Sequence, residues 1–108
     1  MSLEVPGAVA DYLAAEKVKD ADKLALCFAE DGVVQDEGHT HQGRDAIRRW
    51  KREADAKYQF VMEPLGASVD QEVVTLRARL TGNFPGSPAE LGFRFTLADG
   101  EIAALKIG

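Results

Sequence analysis

Residues 24–47, LALCFAEDGVVQDEGHTHQGRDAI, carry most of the signals from which this fold can be predicted. Apolar residues at helical spacing predict a helix over 20–28, and Gly32 is typical of the point where a helix stops. β-Branched residues favour a short strand at 33–36, and residues 40–42 can return as the second arm of a hairpin. The stretch therefore predicts a helix and a hairpin, with polar side chains beside apolar ones that could bury them.

The flanking sequence predicts two more helices and four more strands. One helix precedes the stretch, and another begins at Gly43 and runs to about residue 56. After this helix, apolar residues recur at every second position, as is typical of strands. The predicted strands are at 58–62, 74–80, 91–97 and 102–107. Three helices on one side of an antiparallel sheet give an α+β domain. A sheet that covers three helices must curve, and the hollow beneath it can hold a small molecule.

Length and composition are those of one soluble domain, which we expect to span residues 1–108. The net charge of −5 argues against a nucleic-acid partner, and the basic residues over 44–52 are typical of a solvated helix face. The single cysteine, Cys27, excludes an internal disulfide, and no signal peptide or membrane-spanning apolar run is found. We therefore expect a cytoplasmic protein without a nucleic-acid or membrane partner.

The order of elements and several motifs resemble the NTF2-like superfamily, in particular its SnoaL-like and ketosteroid-isomerase-like branch. The motifs that carry this resemblance are Tyr12, Lys19-Asp20, Phe28-Ala29-Glu30-Asp31-Gly32, Val34-Gln35-Asp36 and Gly43-Arg44-Asp45-Ala46-Ile47. The second half of the chain matches in strand order and in the closing hairpin at Asp99-Gly100. The resemblance implies an NTF2-like cone, with three N-terminal helices packed on a strongly curved antiparallel sheet around a pocket, and a homodimer.

The resemblance also implies a set of catalytic residues. In ketosteroid isomerases a carboxylate base works beside an oxyanion hole formed by a tyrosine and a protonated aspartic acid. By register, Asp36 matches the base, Tyr12 matches the tyrosine, and Glu90 falls where the protonated acid would lie. Glu90 has the strand parity of Gly92, opposite to Phe93, so a regular strand points it away from the pocket unless a bulge intervenes.

Several of these side chains also have a structural interpretation. Asp36 could be a solvated turn residue, and Tyr12 an interior ring whose hydroxyl bonds a structural partner. His39 and His41 form a His-x-His pair suited to the pocket rim, where one of them could shuttle a proton. No distant His or Cys completes a metal site with them, so we expect no metal and no other cofactor. We expect the pocket wall to include Trp50, Phe28, Val34, Phe60 and Phe93.

Two classes of function fit this pattern. The first is an enzyme that abstracts and returns a proton, as an isomerase, cyclase or dehydratase acting on a small, largely apolar molecule. In it Asp36 is the base, Tyr12 the donor, and Glu90 or a histidine an auxiliary. The second is a binding or dimerisation module that holds a ligand without turning it over. A buried Asp36 beside Tyr12 favours the enzyme, and a solvated Asp36 favours the module.

The later strands carry large apolar residues on both faces. Val61, Val73 and Phe84 add to the apolar surface that one small core would have to cover. We therefore expect the homodimer to pack the outer sheet face of each subunit against its partner.

Overall fold

The computed structural model describes residues 4–108, which form three helices and one six-stranded sheet. The helices are α1 at Gly7–Lys17, α2 at Ala21–Leu26 and α3 at Arg44–Tyr58. The strands are β1 at Phe28–Asp36, β2 at His39–Gln42, β3 at Val61–Asp70, β4 at Val73–Thr81, β5 at Ala89–Ala98 and β6 at Glu101–Ile107. Within the described range, no helix has the length and apolar character needed to cross a membrane.

The six strands form one curved sheet in the order β2-β1-β6-β5-β4-β3. The last four strands form the expected meander, and β1 and β2 form the expected hairpin. Strand β1 pairs with β6 in parallel, so the sheet is mixed and not antiparallel throughout. The α+β fold predicted from the sequence is confirmed, and the parallel pair joins the hairpin to the meander at the middle of the sheet.

Strand β1 begins at Phe28, where the sequence predicts the end of a helix. Helix α2 ends two residues earlier, and Phe28 pairs with Ile102 of β6. The β1–β6 register shifts between Phe28 and Val33, and Gly32 lies in this irregular segment. A Cβ at Gly32 would lie 3.0 Å from the carbonyl oxygen of Ala29. Gly32 is therefore a point of close packing inside a strand, and the predicted helix stop is wrong.

Strand β3 differs from the strand that the sequence predicts over 58–62. Tyr58 is the last residue of α3, and β3 spans Val61–Asp70, so the strand starts later and continues through Pro64. The register with β4 shifts between Pro64 and Gly66. Because β3 lies at the edge of the sheet, a proline at this irregularity removes no essential ladder hydrogen bond.

The core lies between the helices and the concave face of the sheet. Val74, Leu76 and Ala78 of β4 are fully buried, as the period of two predicts. Ile47 of α3 and Phe95 of β5 are equally buried and close the core from opposite sides. The remaining part of the concave face, toward the β1–β2 hairpin, is left open as a cavity.

Candidate active site

A cavity of about 530 Å³ lies between α1, α3, the β1–β2 hairpin and the concave side of β4, β5 and β6. Its volume is in the range of small-molecule sites. Aromatic and aliphatic side chains make up most of its wall, with a few acids and two lysines. The residues predicted from the sequence that line it are Tyr12, Asp36, His39, His41, Trp50, Phe60 and Phe93.

Three predicted site residues do not line the cavity. Phe28 and Val34 are fully buried in the core behind it. Glu90 lies on the outer face of the sheet, where its carboxylate accepts a hydrogen bond from Arg77 Nη2 at 2.6 Å. The β4–β5 register is unbroken at Gly92, so no bulge turns Glu90 inward. The alternation of side chains along the strand correctly predicts that Glu90 points away from the cavity. The position of Glu90 in the alignment with ketosteroid isomerases wrongly suggests that it points inward.

Asp36 lies at the end of β1, where a tight turn holds its carboxylate at the cavity wall. The turn residues Glu37 and Gly38 have φ values of 52° and 77°, the conformation of a primed two-residue hairpin. This turn sets Asp36 directly opposite His39 in the β1–β2 register. The Asp36 carboxylate accepts a hydrogen bond from Trp50 Nε1 at 3.1 Å. Trp50 of α3 thereby fixes the carboxylate relative to the cavity.

Burial raises the pKa of the Asp36 carboxyl above its ordinary value. The hydrogen bond from Trp50 partly offsets this rise in pKa, and the negative charge of Glu37 adds to it. The neighbouring His41 lowers the pKa by a smaller amount. A half-buried carboxyl with a raised proton affinity, facing an apolar cavity, is suited to accept a proton from a bound molecule.

Tyr12 is buried in the core and also lines the cavity. Its ring is 1% exposed and packs edge-on against Phe95 and Phe28, with centroid distances of 5.1 and 6.2 Å. Burial, followed by the charges of Glu16 and Asp36, raises the pKa of the Tyr12 hydroxyl well above its ordinary value. The hydroxyl therefore stays protonated at neutral pH. Since Tyr12 also lines the cavity, it can donate a hydrogen bond to a ligand there.

The two histidines lie on β2, opposite the end of β1. His41 is half-buried, with its ring centroid 6.1 Å from that of Trp50, and His39 is exposed at the cavity rim. Among residues 4–108, no three His, Cys, Asp or Glu side chains are grouped so that they could hold a metal ion. The expected absence of a bound metal remains a prediction.

The cavity wall also contains a buried charge cluster that was not predicted from the sequence. Lys51 is 1% exposed and forms ion pairs with Glu16 and, at 2.6 Å, with Asp55. Lys19 pairs with Glu16 at 2.5 Å and lies 3.9 Å from the centroid of the Phe60 ring. Glu16, Lys51 and Phe60 line the cavity. The cluster thus joins the C-terminal end of α1 to the middle of α3.

The burial of Glu16 and Lys51 could have been predicted from their spacing along the helices. Lys51 follows the buried Ile47 by four residues, and Glu16 follows the buried Tyr12 by four residues. Residues at this spacing share one face of a helix, so both charges fall on buried stripes. The prediction that residues 44–52 form a solvated basic face is therefore wrong at Lys51.

Comparisons with known proteins agree on the fold and the family. The family model of the SnoaL-like domain matches residues 9–105. A proposed polyketide cyclase from Sinorhizobium meliloti has a similar structure, with a TM-score of 0.93 and 44% sequence identity over 96% of this chain and 95% of that one. No curated protein matches the sequence significantly.

Two further solved structures extend the comparison. A Catenulispora acidiphila protein with a ketosteroid isomerase-like fold, in complex with trimethylamine, gives a TM-score of 0.84 at 25% identity, covering 97% of this chain and 86% of that one. A cystatin-fold protein from Novosphingobium aromaticivorans gives 0.79 at 17% identity, with 94% of each chain covered, and supports the fold alone. The family match over most of the sequence, the NTF2-like fold and the S. meliloti relative lead to one conclusion: the chain belongs to the SnoaL-like family.

Proposed function

We propose that this protein is an enzyme that transfers a proton within a small, largely apolar substrate, as an isomerase, cyclase or dehydratase. The observation that carries the proposal is the position of Asp36. Its carboxyl is half-buried in the cavity wall, held by Trp50 and set in the same cavity as Tyr12. A solvated turn carboxylate would have neither the raised pKa nor the fixed orientation.

In the proposed reaction Asp36 removes a proton from a carbon next to a substrate carbonyl. The C–H bonding electrons pass into the carbonyl group, and negative charge develops on its oxygen. Tyr12 donates a hydrogen bond to that oxygen and lowers the energy of the enolate. The protonated Asp36 then returns the proton, at a different carbon in an isomerisation. His41, beside Trp50, can relay the proton where the two carbons are too far apart.

The similar S. meliloti protein supports the same chemistry. It is a proposed polyketide cyclase with 44% identity to this chain. Polyketide chains carry methylene groups between two carbonyls, and a proton on such a carbon is acidic enough for a carboxylate to remove. We therefore propose compounds with 1,3-dicarbonyl groups as the first substrate class to be tested.

Hydrogen–deuterium exchange tests this proposal without a known product. A panel of cyclic ketones and 1,3-diketones is incubated with the protein in D₂O, and loss of the α-proton signal is followed by ¹H NMR. We expect Asp36→Asn to slow enzyme-dependent exchange roughly a hundredfold or more, the usual contribution of a general base. Glu90→Gln is the matched control, since Glu90 lies on the outer face, and it should exchange at the wild-type rate. Equal rates for wild type and Asp36→Asn would exclude Asp36 as the base.

A binding module without turnover is the second candidate. The cavity lining includes Glu37, Glu53, Tyr58 and Trp50, and a combination of acids and aromatic rings is suited to a cationic amine. The similar C. acidiphila protein is in complex with trimethylamine. Calorimetric titration with trimethylamine distinguishes the two candidates: tight binding in a protein that catalyses no α-proton exchange favours the module.

A further inference from the structure

The buried charges of Glu16 and Lys51 have no part in the proposed proton transfer. Their side chains are 5% and 1% exposed, and removing two charges from water is costly. Apolar side chains of similar shape often stabilise a protein as well as a buried ion pair does, or better. Folding stability alone therefore does not account for this pair at the cavity wall.

The pair connects the two helices that carry the candidate catalytic groups. Helix α1 packs mainly on α2, β3 and β6, and α3 packs mainly on α2 and the β1–β2 hairpin. Tyr12 lies one turn before Glu16 on α1. Trp50, which hydrogen-bonds to Asp36, is next to Lys51 on α3. The ion pair thus links α1, which carries Tyr12, to α3, which carries Trp50. Trp50 in turn holds the Asp36 carboxylate by its hydrogen bond.

Neighbouring charges bring the net charge around the Glu16–Lys51 pair to zero. Lys51 also pairs with Asp55 at 2.6 Å, and Lys19 pairs with Glu16 at 2.5 Å and with Asp55 at 3.8 Å. The charges of two cations and two anions therefore balance within this cluster. The Phe60 ring, 4.8 Å from Lys51 Nζ, covers the cluster on one side.

We infer that Glu16 and Lys51 form a positioning pair that fixes the separation of α1 and α3, and so keeps Tyr12 and Asp36 facing the same cavity. The inference rests on the proposed function of those two residues. Its structural part, a coupling from the ion pair to Trp50 and Asp36, is measurable without any substrate.

The test uses the double variant Glu16→Leu/Lys51→Met, which replaces the pair by apolar side chains and leaves the net charge unchanged. Asp55 keeps Lys19 as a partner at 3.8 Å. The reporter is the indole N–H of Trp50, the only tryptophan of the chain, which gives one resonance in a ¹H–¹⁵N spectrum. The pH dependence of this resonance follows the ionisation of Asp36. The control is Arg77→Gln/Glu90→Gln, which removes an ion pair from the outer face, also without a change in net charge.

We expect the double variant to unfold at or above the wild-type temperature but to shift the indole resonance. The pKa of Asp36 should rise, because the hydrogen bond from Trp50 that lowers it would weaken. Neither Glu16 nor Lys51 is among the groups that directly shift the pKa of Asp36, so a rise would report a change of position. Enzyme-dependent exchange should fall roughly tenfold to a hundredfold, the usual consequence of a displaced catalytic group. The control should match the wild type in all of these measurements.

A double variant with the wild-type indole shift, Asp36 titration and exchange rate would overturn the inference and leave the pair a merely structural one. If the double variant does not fold, Glu16→Asp replaces it, since this change keeps the charge and shortens the link by one methylene group. An unchanged indole resonance in that variant would overturn the inference equally. If the wild type exchanges no compound, the proposed function fails, and the inference is judged on the indole resonance and the Asp36 titration alone.

Discussion

The Asp36 carboxyl holds its proton more tightly in the folded protein than in the unfolded chain, because burial raises its pKa. The pKa of an aspartate in the unfolded chain is about 3.9, and the pKa of Asp36 in the folded protein is higher. As the pH rises from the lower of these pKa values through the higher one, the unfolded state loses its proton more readily, and the free energy of unfolding falls. Asp36→Asn removes this ionisation. We therefore expect the variant to gain free energy of unfolding relative to wild type at pH 7, and to gain less at pH 3.

Urea unfolding at the two pH values measures this difference. Glu90→Gln is the control: it removes an exposed ion pair with Arg77 and should give no gain at pH 7. A gain for Asp36→Asn at pH 3 that equals or exceeds the gain at pH 7 would contradict a desolvated carboxyl.

Some residues of the cavity wall could be predicted from the sequence, and others could not. Asp36 and Tyr12 could be found because a family register places them, and Trp50 because helical spacing puts it on a stripe with Ile47. Lys51 was missed because charged side chains are rarely fully buried, so composition outweighed its position on the same stripe. A buried charge becomes predictable only when its partner is known, and its partner Glu16 lies 35 residues away.

Among the strands and helices, the local sequence predicts the wrong structure where a segment pairs with a distant part of the chain. Phe28 follows Leu24 at helical spacing, yet it pairs with Ile102 of β6 and begins β1. The partner strand lies more than seventy residues later in the chain, between Glu101 and Ile107. No local pattern around Phe28 could indicate that pairing, whereas the alternation in β4 and β5 depended only on neighbouring residues and was predicted correctly.

A substitution at Gly32 tests the close packing within β1. A Cβ there would lie 3.0 Å from both the Ala29 carbonyl oxygen and Phe28 Cβ, which is closer than ordinary contact. We expect Gly32→Ala to lower the free energy of unfolding by about 1–3 kcal/mol, as overpacking usually does. Gly66→Ala in β3 is the matched control, because a Cβ at Gly66 meets no described atom within 4 Å. Equal stability of the two variants in urea would contradict the packing described for β1.

For the whole molecule, we propose that two copies associate through their outer sheet faces. Val61 of β3 is 70% exposed and has the strand parity of the outer residue Glu63. Phe84, which was expected to add to this surface, lines the cavity instead. Phe84 is therefore not part of the proposed interface.

Light scattering at micromolar concentration should give the mass of a dimer. Val61→Arg should shift the mass toward that of a monomer, because it places a charge in the proposed interface. Leu26→Arg is the control, since Leu26 is 61% exposed on the helical side. A wild-type mass equal to that of one chain would end the proposal.

The fold class and the presence of a hollow follow from the order of elements, but the shape of the cavity does not. It depends on the length of β1, on the tight turn that sets Asp36 opposite His39, and on the buried pair of Glu16 and Lys51. The length of β1 and the buried pair come from contacts between distant parts of the chain, which one sequence does not specify.

The proposed function depends above all on a desolvated Asp36 carboxyl in the cavity, and this carboxyl can be titrated by ¹³C NMR. The carboxyl resonance is assigned by its absence from Asp36→Asn and followed from pH 2 to pH 8. We expect a midpoint clearly above the ordinary aspartate pKa of about 3.9. A midpoint at or below that value would show a solvated carboxylate and contradict the proposed role of Asp36.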